Sequence, residues 1–272
     1  MAQGLSVLGE GEEGKIKGVL RDLRRLRDRL FGWLPGWMRL RSPRAVALVL
    51  LLSASGLANA TESPSDTDFT RLLHVSAENF TPITVPDNIF WKKRPELSEK
   101  LRDEREILVS VTHTKEAGGA RLDMKGVGWV RAPAAFAYRT AQDFARFKEV
   151  SPHFRQVQYA PMTRRLFVQM EAMGWVVSLL QQMQFAEDKG IARISWLVVA
   201  GAFKGMKGSI EIRKISEQQC EMALIAHYAA SELPVPPAIL NVGLEFVLKH
   251  VASSMRKYLE ERYKQEVARS SN

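Results

Sequence analysis

The side chains suited to catalysis or metal binding are few: His74, His113, His153, His227 and His250, a lone cysteine at 220, and Asp143 among the carboxylates. A metal site needs histidine, cysteine or carboxylate ligands at short, set spacings, and the five histidines have no such spacing. Nor does the sequence carry a Gly-x-Ser-x-Gly elbow, a His-Glu-x-x-His pair or a phosphate loop. Gly201 to Ser209, GAFKGMKGS, has glycines in the wrong order to cradle a phosphate. Cys220 cannot form an intramolecular disulfide and leaves the redox compartment undecided; in a strand it reads as a small apolar residue. Asp143 reads as a cap or ion-pair partner of its own helix. His227 falls on a strand, facing either the interior or solvent. Neither a metal nor a cofactor is expected.

The chemistry that the sequence does support is apolar recognition. Leu166, Val168 and Met170 alternate on one strand face, and Met173, Trp175, Val177, Leu179, Met183 and Phe185 on the next. Ile194, Trp196 and Val198 continue the pattern, then Ile210 with Ile212, and Met222, Leu224, Ala226 and Tyr228. Earlier, Ile107, Val109 and Val111 mark one strand, and Leu122, Met124, Gly126, Gly128 and Val130 share a face of another; the two glycines predict a bulge or a close approach. Strands in series with short turns at Lys115–Gly119 and Glu187–Gly190 predict an antiparallel sheet. Between them, Phe136, Ala137, Ala141, Phe144 and Phe147 fall at helical spacing after Pro133, and Ser151-Pro152 ends that helix. After the prolines at 234, 236 and 237, Leu240, Leu244, Val247, Val251, Met255 and Leu259 draw one stripe along a helix predicted from Ala238 to Glu266.

The stretch from Ala132 to Met162 resembles the opening of the START-like (SRPBCC, helix-grip) superfamily, through Ala132, Pro133, Phe136, Asp143, Phe144, Phe147, Pro152 and Phe154. Within that superfamily the chain is most similar to the polyketide cyclase and coenzyme Q-binding branch, on Trp196 to Ser209 and on Leu233 to Leu240, LPVPPAIL. The resemblance covers about Ile107 to Lys264. It implies an α+β helix-grip fold, a curved antiparallel sheet wrapped around a long C-terminal helix, with short helices after the first strands. It also implies a cavity for an apolar ligand. The expected cavity residues are Met173, Trp175, Val177, Met183, Phe185, Trp196, Phe203, Leu240, Leu244, Val247 and Val251, with Gly201–Gly208 as a mouth loop. The leading expectation is a non-catalytic holder of a lipid, quinone or polyketide-like molecule. Two alternatives stay open: a cyclase or dehydrase-type enzyme on a bulky apolar substrate, and a fully packed protein-interaction module.

Ahead of this domain, Ala45 to Leu52 is an unbroken apolar run, preceded by Arg39, Arg41 and Arg44 and followed by Ser53 to Ala60, ending Ala-Asn-Ala. Those are the three parts of a secretory signal, and the run is short for a bilayer span. Residues 38–60 are therefore expected to be a signal cleaved after Ala60, with a membrane anchor as the alternative, and the mature chain periplasmic or secreted. Residues 1–37 read either as an extension upstream of a true start at Met38, or as a basic amphipathic helix on Ile16, Val19, Leu20, Leu23, Leu26, Leu30 and Leu34 able to lie on an anionic membrane. Residues 61–105 read as an irregular lead-in, 106–266 as the ligand-binding domain and 267–272 as a tail.

The formal net charge of +9 is divided between these parts. Residues 1–60 carry ten Lys/Arg against five Asp/Glu, leaving the rest of the chain only mildly basic. No Arg-rich stripe is interleaved with aromatics, so nucleic acid is not an expected partner. The expected partner is a hydrophobic small molecule or lipid, with transient membrane contact as a further option.

Overall fold

The computed structural model describes residues 66–75, 79–116, 118–172, 175–231, 233 and 237–271. The expected signal and the extension before it lie outside the described residues.

Alternating apolar residues build eight strands: β1 (Leu108–Glu116), β2 (Gly119–Val130), β3 (Phe154–Ala160), β4 (Arg165–Ala172), β5 (Trp175–Asp188), β6 (Ile191–Gly201), β7 (Lys207–Ser216) and β8 (Gln219–Ala230). They form one antiparallel sheet in the order β1-β2-β8-β7-β6-β5-β4-β3. Lys189 and Gly190 both take positive φ, 50° and 76°, the conformation that a two-residue hairpin requires between β5 and β6. Of the apolar face expected from Met173 to Phe185, β5 begins at Trp175, and Met173 lies outside the described residues.

Three helical pieces precede β1: α1 (Asp66–Leu72), α2 (Phe90–Lys93) and α3 (Pro95–Glu99), the last continued by a π turn over Lys100–Glu104. Between β2 and β3 lie α4 (Ala134–Ala141), a 3₁₀ turn (Phe144–Arg146) and α5 (Phe147–Val150). The chain ends in α6 (Pro237–Ser270). At about 1.5 Å per residue its 34 residues span about 51 Å. It outruns the expected end at Glu266, because Val267 to Ser270 holds neither proline nor glycine to stop a helix.

The sheet is covered on both faces. On the inner face lies α6, with its apolar stripe toward the strands. Polar contacts hold one flank of α6 to the β1 edge. A carboxylate oxygen of Glu245 accepts from the Val111 amide at 3.0 Å, Lys249 pairs with Glu106 at 3.0 Å, and Glu260 accepts from the Arg131 amide at 2.9 Å and pairs with Arg105. On the outer face lies the segment before β1, which crosses the sheet from β4 to β1 as a belt. Phe69 and Leu73 pack on Phe167 and Leu180. Farther along, Gln184 donates to the Phe80 carbonyl at 3.0 Å, and the Val85 amide donates to Glu211 at 3.0 Å. Ile89, Trp91 and Leu101 then pack over Leu108, Val127, Ala223 and Ile225.

Candidate functional site

Strand register sorts the inner-face residues into rows that run across the sheet. One row is Leu122, Tyr228, Met206, Val198, Gln181, Leu166 and Tyr159. The next is Met124, Ala226, Gly208, Trp196 and Met183. A third is Gly126, Leu224, Ile210, Ile194 and Phe185. No Lys, Arg, Asp or Glu stands in these rows. Their polar side chains are Tyr228, Gln181 and Tyr159, with the half-buried His113 beside Leu122 on the edge strand. Burial raises the hydroxyl pKa of Tyr228 and of Tyr159, so both are neutral donors over the physiological range.

Trp196 is the central side chain. It packs both with the Leu122, Val198 and Tyr228 group near the start of α6 and with the Met183, Ile194 and Phe144 group near α5. Its indole lies over Gly208, its registered partner on β7. A Cβ at 208 would stand 2.0 Å from Cζ2 and 2.3 Å from Cε2 of that ring, so only glycine leaves the indole room.

In the middle of the sheet a few neighbouring residues depart from the usual alternation of apolar-in and polar-out. Outward-facing Ser195, Ser209 and Glu211 are 1%, 0% and 1% exposed beneath the belt. The apolar residues beside them in sequence, Trp196 and Ile210, and Leu224 across from Ile210 on β8, face α6 and are only half-buried. Opposite them, Leu244, Val247, Leu248 and Val251 of α6 are half-buried too. These side chains are left partly open over the middle of the inner face. Toward the far end the packing is close, where Leu259 packs with Ala137, Ile212 and Cys220 at 0% exposure each. Six methionines, at positions 124, 170, 183, 206, 222 and 255, belong to the side-chain clusters of this face. A cleft of about 320 Å³ opens between β1 and α6, lined by Ile107, Val109, Glu245, Phe246 and Lys249 among others.

Several expected cavity residues come together here. Val177, Trp196, Phe203 and Leu244 pack in one cluster, and Met183, Phe185 and Trp196 in its neighbour. Met183 is nearly closed off at 3% exposure, under the short helices. Val247 and Val251 are half-buried on the expected stripe. The side chains of Trp175 and Leu240, like Met173, lie outside the described residues. Phe203 stands in the β6–β7 turn with φ 57°, its ring 5.4 Å from that of Tyr228.

His227, Asp143 and His153 are engaged elsewhere. His227 faces outward and pairs through Nδ1 with Asp123, which also takes Arg121 at 2.9 Å. Burial works to raise the Asp123 pKa, but the hydrogen bonds from Arg121 and His227 outweigh it and hold the carboxylate low. Asp143 pairs with Arg146 at 3.0 Å. His153 Nδ1 contacts the Glu171 carbonyl at 2.8 Å. Among the described residues no group of His, Cys, Asp and Glu could hold a metal ion. Tyr228, Gln181 and Gly208 were harder to read as site residues from sequence. Gln181 sits next to a β-bulge between Leu180 and Gln181, which makes simple alternation ambiguous there.

An eight-stranded antiparallel sheet gripping a long C-terminal helix, with two short helices between its second and third strands, is a helix-grip α+β fold. The chain matches no family model and no curated protein. Among solved structures it is similar to a START superfamily protein from Mycobacterium smegmatis, at 17% identity and TM-score 0.43 over 53% of this chain and 97% of that one. It is similar also to the Zhui aromatase/cyclase of a Streptomyces species, at 11% and 0.44 over 54% and 96%. A third similarity is to a STAR-related lipid transfer protein fragment from Xanthomonas axonopodis, at 13% and 0.42 over 55% and 98%. Their extent is about half of this chain, and the outer belt and strand order described above stand on its own residues.

Proposed function

We propose that this chain is an exported, non-catalytic protein that holds a hydrophobic molecule, such as a lipid, quinone or polyketide-like compound, between its sheet and C-terminal helix. One observation carries the reading. Trp196, Ile210 and Leu224 on the face toward α6 are half-open, as are Leu244, Val247, Leu248 and Val251 of α6, while Ser195, Ser209 and Glu211 on the opposite face are sealed. Each buried methylene stabilises by about 0.8 kcal/mol, so apolar surface left accessible on both walls of one space is surface that an apolar ligand can cover. The signal-like segment 38–60 supports export.

The test is native mass spectrometry of the full chain after gentle purification from its own host. The expected result is a noncovalent adduct that organic extraction releases as a hydrophobic compound. A chain that carries no adduct and takes up no lipid from mixed vesicles would sink the proposal. Sequencing the N-terminus of the same material tests export: Thr61 as first residue is expected, and an intact residue 1 or 38 argues against cleavage.

A further inference from the structure

The outer belt ends in a corner that reaches the other face of the sheet. Its last helical turn, Lys100–Glu104, is followed by Arg105 at φ 54° and ψ 36°, a left-handed conformation uncommon outside glycine. The chain turns there into β1, an edge strand, and the turn sets Arg105 and Glu106 against α6. The Arg105 guanidinium pairs with Glu260, the Arg105 carbonyl accepts from Arg256, and Glu106 pairs with Lys249 at 3.0 Å.

The last helix carries a stripe that matches this corner. Lys249, Arg256 and Glu260 follow one another at intervals of seven and four, so they share one flank of α6. The Arg105 and Glu260 side chains are 24% and 17% exposed, which shelters the pair from the screening that weakens surface ion pairs. The Val111 amide on Glu245 and the Arg131 amide on Glu260 tie the same flank to the sheet, independently of the corner.

From this corner back to Val85 the belt is one packed body. Val85, Ile89, Trp91 and Leu101 belong to a single buried cluster with Leu108, Val127, Ala223 and Ile225. The polar anchor of that body is Glu211, which accepts from the Val85 amide at 3.0 Å and is gripped by Arg193 and Arg213. One strand over, Gln184 donates to the Phe80 carbonyl at 3.0 Å. Glu211 and Gln184 lie on the outer face, so the sheet itself separates them from α6. The belt runs from one side to the other past the β1 edge.

We propose that residues 79–106 are a strap that latches the last helix. Glu211 holds the belt on the outer face, the belt holds the corner at Arg105, and the corner holds the flank of α6 on the inner face. Loosening the belt at Glu211 therefore loosens the helix, and the two open as one cooperative unit. A change on the outer face thereby reaches a helix that it does not touch. This device goes beyond the ligand-holding reading and does not depend on it.

The test is amide hydrogen exchange of the full chain, read by mass spectrometry on peptides from the belt (residues 79–92), from α6 (residues 245–262) and from β4 (residues 165–172). Glu211→Gln should speed exchange in both the belt and α6 by about threefold or more, and leave β4 at the parent rate. Gln184→Ala, which frees the Phe80 carbonyl, should give the same pattern. Arg105→Gly with Lys249→Met cuts the latch while keeping the left-handed corner. It should speed α6 alone, and adding Glu211→Gln to it should then speed the belt with no further effect on α6. That lack of additivity separates a path through the belt from one through the sheet. Cys220, at 0% exposure, should stay slow to label in every variant, which shows that each is folded. A belt or an α6 that exchanges at the parent rate after Glu211→Gln overturns the proposal. So does equal acceleration of β4, and so does an α6 that still responds to Glu211→Gln once the latch is cut.

Discussion

Trp196 and Gly208 are partners across β6 and β7, and the indole of the first occupies the volume in which any other residue at 208 would place its Cβ, 2.0 Å from ring atom Cζ2. The contact is with the stiff, middle part of the sheet, so neither strand can yield without moving its neighbours. Gly208→Ala must lift or turn the indole. Overpacking of this kind costs about 1–3 kcal/mol. The same substitution in a Trp196→Leu background should cost clearly less, because a leucine can turn away. Chemical denaturation of the four proteins of this cycle measures the coupling. Equal costs in both backgrounds would mean that the ring does not depend on Gly208.

Whether sheet and helix stand apart can be tested by filling the gap. Val247 and Val251 are half-buried on the face of α6 that looks at the sheet. In a close-packed core, Val→Phe is overpacking and destabilises by about 1–3 kcal/mol. Over an open interior the larger ring finds room and gains apolar burial. Val247→Phe and Val251→Phe should therefore keep the stability of the parent within about 1 kcal/mol and reduce the amount of hydrophobic molecule retained. Strong destabilisation by both would instead favour the fully packed interaction module.

Much of this arrangement is legible in the sequence, and the part that is not has a physical cause. Alternation placed Leu122, Met124, Ile194, Trp196, Ile210 and Met222 on one face, and register carries all of them to the inner side. Of the stripe on the last helix, Leu244, Met255 and Leu259 likewise pack into the inner-face clusters. Of the glycine pair, Gly128 meets a close approach, since a Cβ there would stand 3.2 Å from the Ile107 side chain, whereas one at Gly126 would make only ordinary contact, 3.5 Å from the Leu108 carbonyl oxygen. The outer belt was not legible. Alternation ordinarily turns the polar residues of a strand to solvent, yet Glu211, between Ile210 and Ile212, is 1% exposed. What buries it is a segment more than a hundred residues earlier in the chain, through Val85. Period-two patterns report which residues share a face, and carry no information on what irregular chain later lies across it.

Cys220 offers a reporter of the fold. It is fully buried on β8, and burial, with Glu260 nearby, pushes its thiol pKa up to about 12. The reactive species is the thiolate, and an ordinary thiol ionises near pH 8.5. At pH 8 ionisation alone slows the native thiol on the order of a thousandfold relative to an exposed one. Reaction with a disulfide reagent should then track global unfolding across a denaturant series. Rapid labelling of the native chain would contradict the packing of Leu259 and Ile212 around it.

The belt is held to the sheet by charge as well as by apolar packing, and this makes its attachment sensitive to acid. Glu211 Oε1 accepts from the Val85 amide at 3.0 Å and meets Arg193 at 3.0 Å, while Oε2 meets Arg213 at 2.7 Å. Burial works to raise its pKa, but the hydrogen bonds from Arg213, Val85 and Arg193 outweigh burial and leave it below the ordinary glutamate value. A carboxyl whose pKa is lower folded than unfolded stabilises the native state fully above its unfolded pKa, about 4.3 for glutamate, and loses that contribution as pH falls through the folded value. Asp123, held low by Arg121 and His227 against burial, acts in the same direction. Stability should therefore fall below about pH 4, and Glu211→Gln should flatten that fall while lowering stability at neutral pH. Glu211→Ala, which leaves Arg193 and Arg213 facing a void, should cost about 3 kcal/mol or more. Urea denaturation from acid to neutral pH measures both. A Glu211→Gln variant with the same stability at neutral pH and the same acid limb as the parent would show that Glu211 does not secure the belt.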